Sequence, residues 1–281
     1  MDPRAVAILR VLINRYDPKS NIPLAQFLSK EEFKQIKDYS ITSSNLHPIL
    51  QQPHSSLSSI HYSWIESLLS HFPEVLQPSV SAAIGLSNKL DKTLENASPI
   101  SPLAKSFFLT ELYRLLDMGS HLPIEYLPPS PLTRLTEWKK SDIVHLIDYL
   151  GLHDLASEIR PIVNSNALKK IYTSLTPKQF HHLKTCLHKK EQLTFPPLKI
   201  DLSTIEIKEL KQLLHKRGLV RFSRSFSGEH PDLIWHIAHI LDIGRGKIFV
   251  KEVALSKDKK VTHILQQQLI YLMNFLHTNN L

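Results

Sequence analysis

The sequence contains a single cysteine, Cys186, among 281 residues. One cysteine excludes a disulfide within the chain and is typical of a protein from a reducing compartment. The N-terminal stretch is interrupted by Arg4, Arg10 and Arg15, and no small-residue cleavage site follows, so it does not resemble a secretory signal. No uninterrupted apolar run approaches the roughly 20 residues that a membrane-spanning helix needs. These absences predict a cytoplasmic protein without a transmembrane segment.

Glycine is also scarce. Only seven glycines occur, none of them before Gly85, whereas eighteen prolines interrupt the chain. Together with long leucine- and isoleucine-rich runs, this pattern predicts an all-α protein of stacked helical hairpins, armadillo-like, in two helical regions. Gly151 and Gly218 each follow an apolar helical run, which predicts that a helix ends at both positions. Residues 247–256 fit either a strand or a helix.

A proline-rich segment, residues 120–131, lies near the middle of the chain and predicts a linker between two domains. An ordered loop within one domain is the alternative. The charge balance changes after this segment: residues 1–133 contain 11 Lys and Arg against 12 Asp and Glu, and residues 134–281 contain 23 against 14. We therefore predict an N-terminal helical domain over 1–119 and a basic helical domain over 132–281, the latter with an acidic partner.

Motifs for the common catalytic chemistries are absent. No P-loop, nucleophile elbow or HExxH zinc motif occurs. His153, Asp154 and Glu158 are a candidate acid–base set, but no nucleophile accompanies them. The sequence therefore predicts no catalytic residues, no cofactor and no enzymatic activity.

Soft metal-ligand residues are concentrated on one predicted helix. His182 and Cys186 are four residues apart and share a face, with His181 and His188 nearby. Zinc needs four ligands, or three and an open position, and no second ligand pair stands at a motif spacing. The sequence alone therefore predicts a solvated histidine-rich helix face and no metal site.

Basic residues are interleaved with Phe222 and Phe226 in the second half. Clustered cations bind phosphates, and exposed aromatic rings can stack on bases. The alternatives for this basic face are nucleic acid, an acidic protein partner or a plain solvated surface. Its residues are Lys208, Lys211, Lys216, Arg217, Arg221 and Arg224.

The segment GEHPDLIWHIAHIL, residues 228–241, combines a turn, a helix start and an apolar helix. Gly228 permits a sharp reversal of the chain, and Pro231 fits the first position of a helix. Asp232 then lies in the first turn, where a negative charge is favourable. Apolar residues recur on one face from Leu233 onward, so the polar corner before them is expected at the mouth of a rigid helix.

This segment resembles the EHPQT motif of FliG, the flagellar motor-switch protein, in which Glu-His-Pro opens an apolar helix of an armadillo-like domain. Glu229, His230 and Pro231 match the motif, whereas Asp232 and Leu233 stand where the family has Gln and Thr. In the family this corner binds FliM, the next rotor component. The resemblance therefore implies a partner-binding site at Glu229–Leu233.

Only 50 residues follow Pro231, too few for the family's torque domain. The resemblance thus points to an adaptor without a motor, like the SctK-type cytoplasmic adaptor of type III secretion systems; the composition also resembles that of chlamydial proteins. It implies a scaffold that links an inner-membrane ring protein to a FliM- or SctQ-like ring protein, at the cytoplasmic face of the inner membrane. Assembly into a homo-oligomeric ring is a further expectation, and nucleic-acid binding through residues 208–224 is the alternative function.

Overall fold

The computed structural model describes residues 5–10, 28–38, 57, 59–84, 101–118, 121–162, 165–188, 193, 205–256 and 258–278. All regular secondary structure in these ranges is helical, which confirms the prediction of an all-α protein. The armadillo-like stacking of hairpins stays a prediction. Residues 5–10 are helical, and the described α-helices that follow are α1 (Lys30–Asp38), α2 (Tyr62–Leu69), α3 (Gln77–Ala83), α4 (Pro102–Leu115), α5 (Lys140–Ile159), α6 (Ser165–Ser174), α7 (Pro177–His188), α8 (Ile207–Ser225), α9 (Pro231–Ile240), α10 (Ile243–Leu255) and α11 (Lys259–Thr278).

Side-chain caps set several of the helix starts. Ser29 accepts a hydrogen bond from the Glu32 backbone N–H at 3.2 Å, and Glu32 accepts one from the Ser29 N–H at 3.0 Å, a capping box before α1. Ser101 caps α4 by accepting from the Ala104 N–H. These contacts satisfy backbone donors that have no partner inside the helix.

The chain divides into two compact units. The first comprises Met1–Thr136 with His230–Gly246, and the second comprises Glu137–Glu229 with Lys247–Leu281. The predicted linker over 120–131 contributes buried side chains, Leu122, Tyr126 and Leu127, to the first unit. The chain therefore leaves the first unit after Thr136, five residues beyond that segment, and it re-enters this unit at His230, which the sequence pattern did not predict.

The core of the first unit is formed by α2, α3 and α4. Ile65 of α2, Val80 of α3 and Leu112 of α4 are almost fully buried in one apolar cluster. Trp235 of α9 packs against the same cluster. The GEHPDLIWHIAHIL segment therefore contributes Trp235 to the packing of this core.

The second unit is built around α5, which packs against α7, α8 and α11. Neither Gly151 nor Gly218 ends a helix, so both predictions were wrong: α5 continues through Gly151 and α8 through Gly218. A Cβ atom on Gly218 would collide with the Ile147 carbonyl oxygen, and one on Gly151 with the Leu214 carbonyl oxygen. The glycines let the two backbones touch where α5 crosses α8, which compensates for their poor helix propensity.

Residues 247–256, for which strand and helix were both open, are mainly helical. Helix α10 begins at Ile243 and continues to Leu255, so Gly244 and Gly246 lie within its first turn. None of the described helices combines the length and the apolar character needed to span a bilayer.

Replacement of Gly218 by alanine tests the crossing. The added methyl group meets rigid backbone, so we expect Gly218→Ala to lower the free energy of unfolding by about 3 kcal/mol. Urea denaturation followed by circular dichroism measures the change. Gly244→Ala is the matched control, because its Cβ would only approach a flexible Asp242 oxygen at 3.4 Å. For Gly244→Ala we expect a stabilisation of up to about 1 kcal/mol from helix propensity. Equal changes in the two variants would contradict the close backbone approach of α5 and α8 at Gly218.

Candidate functional site

The turn before α9 is as sharp as the sequence predicts. Gly228 has a φ of +85°, in the left-handed region that glycine tolerates best. Glu229 is half-buried, and its carboxylate accepts a hydrogen bond from the Gln266 side-chain amide at 3.2 Å. Glu229 is the last residue of this segment in the second unit, and His230 is the first in the other.

His230 and Pro231 begin α9. The His230 ring accepts a hydrogen bond from the Asp232 backbone N–H through Nδ1 at 3.2 Å, so His230 is the helix cap. Pro231 occupies the first helical position, as predicted, and is exposed. Within the first unit these are the two motif residues that an approaching protein can touch.

Asp232 and Leu233 are interior residues. The Asp232 carboxylate accepts hydrogen bonds from His121 Nδ1 at 2.8 Å and from the Leu122 backbone N–H at 3.1 Å. Burial raises the pKa of Asp232. These hydrogen bonds and the nearby His230 and His121 charges lower it by more, so the net pKa lies below the ordinary value. Leu233 is only 1% exposed. The structure thus gives these two positions a role in packing α9 rather than a docking surface.

Four aromatic rings form a column beside this carboxylate. Trp64 contacts His239 at a centroid distance of 4.3 Å, His239 stacks on Trp235 at 4.0 Å, and Trp235 stacks on His121 at 4.6 Å. Burial lowers the pKa of His239 to about 4, against a hydrogen bond to the Trp235 carbonyl that raises it. His239 is therefore neutral at physiological pH.

The predicted basic face is divided between surface and core. Lys208, Lys211 and Lys216 are exposed on α8, and Arg217 is half-buried. Arg224 is half-buried and lies 3.2 Å from the Glu252 carboxylate. Exposed cations on this helix are therefore lysines.

Phe222 and Phe226 do not form a stacking surface, and that expectation was wrong. Both are fully buried, with ring centroids 5.1 Å apart, and they pack against Phe249. Their spacing of four residues places them on one inward face, because α8 runs on past Gly218 to Ser225.

Arg221 is likewise a core residue and not part of an exposed basic face. It is 1% exposed, and its guanidinium donates to the Asp154 carboxylate at 2.5 and 3.0 Å and to the Gln268 amide oxygen at 2.9 Å. Asp154 is also buried, so the pair is shielded from water. This pairing commits Asp154 to the core and removes it from the candidate acid–base set.

An open groove of about 750 Å³ lies in the second unit, where α5, α7, α8 and α11 approach one another. Its lining is mainly apolar and includes exposed Lys178 of α7 and Lys211 of α8. Asp148 of α5 also lines it and is paired with His215 at 2.6 Å. Burial raises the pKa of the Tyr149 hydroxyl, against a hydrogen bond with Thr176 that lowers it, so this ring stays neutral. The apolar lining includes Tyr149, Leu152, Leu175, Leu214, Phe275 and Leu276.

Comparisons with protein-family models, curated proteins and solved structures give no match to this chain. The resemblance to FliG therefore depends on the Glu-His-Pro letters and stays a prediction.

Replacement of Arg221 tests whether it belongs to the core. Arg221→Met leaves the Asp154 charge buried without its cation, so we expect a loss of about 3–5 kcal/mol in the free energy of unfolding. Lys216→Met, on the exposed side of the same helix, should change it by less than about 0.5 kcal/mol. Urea denaturation of both variants measures these changes. A small change in the free energy of unfolding for Arg221→Met would contradict the assignment of Arg221 to the core.

The aromatic column predicts acid sensitivity. Unfolded chains protonate histidine near pH 6.5, whereas folded His239 does so near pH 4, so its stabilising contribution is present above pH 6.5 and is lost as pH falls towards 4. We expect a loss on the order of 2 kcal/mol from this group, measured by urea denaturation at pH 7 and pH 4.5. His239→Phe keeps a ring in the column but cannot be protonated, so it should lose less stability over this interval. An equal loss in both proteins would contradict the assignment.

Proposed function

We propose that this chain is a non-enzymatic adaptor whose second unit binds an acidic, amphipathic segment of a partner protein. The observation that carries the proposal is the groove among α5, α7, α8 and α11, with a mainly apolar lining that includes lysines from two helices. Grooves of this kind accept the apolar face of a helix from another protein.

Charge and apolar contact have separate roles in this proposal. The apolar lining supplies affinity when water is displaced from leucine and aromatic side chains. Lys178 and Lys211 attract carboxylates at the edge of the bound segment, which speeds encounter and sets its orientation. The excess of basic residues after position 133 favours an acidic partner in the same way.

For the identity of the partner, we propose a FliM- or SctQ-like cytoplasmic ring protein of a type III secretion or flagellar-type export apparatus. The Glu229–Pro231 match to the FliG motif supports this choice, and the exposure of Pro231 with the partial exposure of His230 leaves two of the matching residues accessible. Such an adaptor works in the cytoplasm, joins an inner-membrane ring protein to the cytoplasmic ring and is repeated around that ring.

Protein binding fits the second unit better than nucleic-acid binding does. Phe222 and Phe226 are buried, so they offer no surface to a base. Arg221 is paired inside the core, and Arg224 is paired with Glu252. At least two of the six basic residues assigned to phosphate contacts are therefore already paired within the protein.

Charge reversal in the groove tests the proposal. The purified chain is titrated with the FliM- or SctQ-like protein encoded in the same genome, and binding is measured by calorimetry. Lys178→Glu with Lys211→Glu should weaken binding by about tenfold or more, because two attractive contacts become repulsive. The loss should shrink at high salt, where exposed charges are screened.

Lys216→Glu with Lys251→Glu is the control, because it changes the net charge equally at exposed positions that do not line the groove. Binding should stay within about twofold of the unmodified protein. Equal losses for the two double variants would contradict the groove as the docking site. Absence of binding to the ring protein by the unmodified chain would contradict the choice of partner.

A further inference from the structure

Three metal-ligating side chains converge in the second unit, although only two of them share a helix. His182 and Cys186 lie one turn apart on α7, and His153 comes from α5. Cys186 Sγ lies 3.3 Å from His182 Nε2 and 3.9 Å from His153 Nδ1, and the three ligand atoms all lie within 4.8 Å of one another. His182 and Cys186 are buried, and His153 is partly buried.

Two of these three distances are close to those in a metal coordination sphere. Zinc lies about 2.0–2.1 Å from an imidazole nitrogen and about 2.3 Å from a thiolate, which places neighbouring tetrahedral ligand atoms about 3.3–3.6 Å apart. The two distances to Cys186 Sγ are close to this range already. The two imidazole nitrogens lie within 4.8 Å of each other, so side-chain rotation has to bring them closer for all three ligands to bind one ion.

The environment holds the ligands in place. The rings of Tyr149 and Phe275 each lie with their centroids 5.6 Å from that of His182. The His153 and His182 rings are themselves 5.5 Å apart in an edge-to-face arrangement. Ligand rotamers fixed by packing on two helices are the condition for a preorganised metal site.

We infer that the second unit binds a zinc ion through His153, His182 and Cys186. Two imidazoles and a thiolate suit Zn²⁺, and three protein ligands leave a fourth position for water or an exogenous ligand. A hydrogen-bonded cluster is the competing explanation, because the thiol can donate to one imidazole while its sulfur accepts from the N–H of the other. A metal ion is contacted by both rings and the sulfur together.

Binding is coupled to proton release. The S–H bond of Cys186 breaks, its proton leaves to solvent, and the sulfur–zinc bond forms, with no change of oxidation state. Each histidine binds in its neutral form. Affinity should therefore fall as the solution becomes more acidic. Zinc binding through these three ligands does not require a partner in the groove, although Tyr149 and Phe275 line the groove and also pack on His182.

Cobalt(II) substitution tests the site in the full-length protein, freed of metal by a chelator. Because Cys186 is the only thiol in the chain, a thiolate-to-cobalt charge-transfer band can arise only there. We expect this band, with the intense visible bands of tetrahedral cobalt, to saturate at one equivalent and to be displaced by Zn²⁺. One equivalent of Zn²⁺ should also slow the alkylation of Cys186 at least tenfold.

Variants separate this site from adventitious binding at the other histidines. Cys186→Ser should abolish the charge-transfer band, and His153→Gln should weaken cobalt binding at least tenfold. His181→Gln is the control, because His181 is exposed on the same helix and lies outside the cluster; it should change nothing. Absence of the band in the unmodified protein, binding of Cu⁺ without Zn²⁺, or unchanged cobalt binding in His153→Gln would each overturn the inference. The alkylation assay uses the unmodified protein, so it tests zinc binding at Cys186 even where a substitution prevents folding.

Discussion

The crossing of α5 and α8 at Gly151 and Gly218 is the constraint on which the second unit depends. Backbone contact between the helices needs hydrogen in place of both side chains. One turn further along each helix, Asp154 and Arg221 meet in a buried ion pair. The close approach and the pair fix the register of α5 against α8. With this register fixed, residues close to Gly151 on α5 face other parts of the unit. Asp148 and Tyr149 line the groove, and His153 faces Cys186 of α7.

In the first unit, the segment that resembles the FliG motif is largely a packing device. Its first-position proline and its apolar face lie where the sequence predicts, and His230 is the helix cap. Asp232, however, is buried against His121 and Leu122, more than a hundred residues earlier in the chain. A charged residue in the first turn of a helix suggests a favourable interaction with the helix dipole, and here it also serves as a tertiary anchor. Of the segment's residues in the first unit that match the motif, Pro231 is exposed and His230 is partly exposed.

Local rules predicted the all-α class, the turn at Gly228 and the helix start at Pro231, because those features depend on neighbouring residues. They failed where a distant contact decides. Gly218 has the surroundings of a helix end, and only the Ile147 carbonyl on another helix explains why α8 continues. Once α8 is continuous, Phe222 and Arg221 turn inward, which the charge pattern alone could not show. His153 and Cys186 are 33 positions apart, so no motif spacing joins them. The sequence did show His182 and Cys186 together on α7, and the inferred third zinc ligand, His153, comes from α5.

Native-state hydrogen exchange of the backbone amides tests the central claim, that the α5–α8 crossing is the structural centre of the second unit. We expect the amides flanking Gly151 and Gly218 to exchange only through unfolding of the whole unit, with protection as high as any in it. Gly218→Ala should lower the protection of both helices together. Exchange through local opening at the crossing, faster than in α11, would contradict the account.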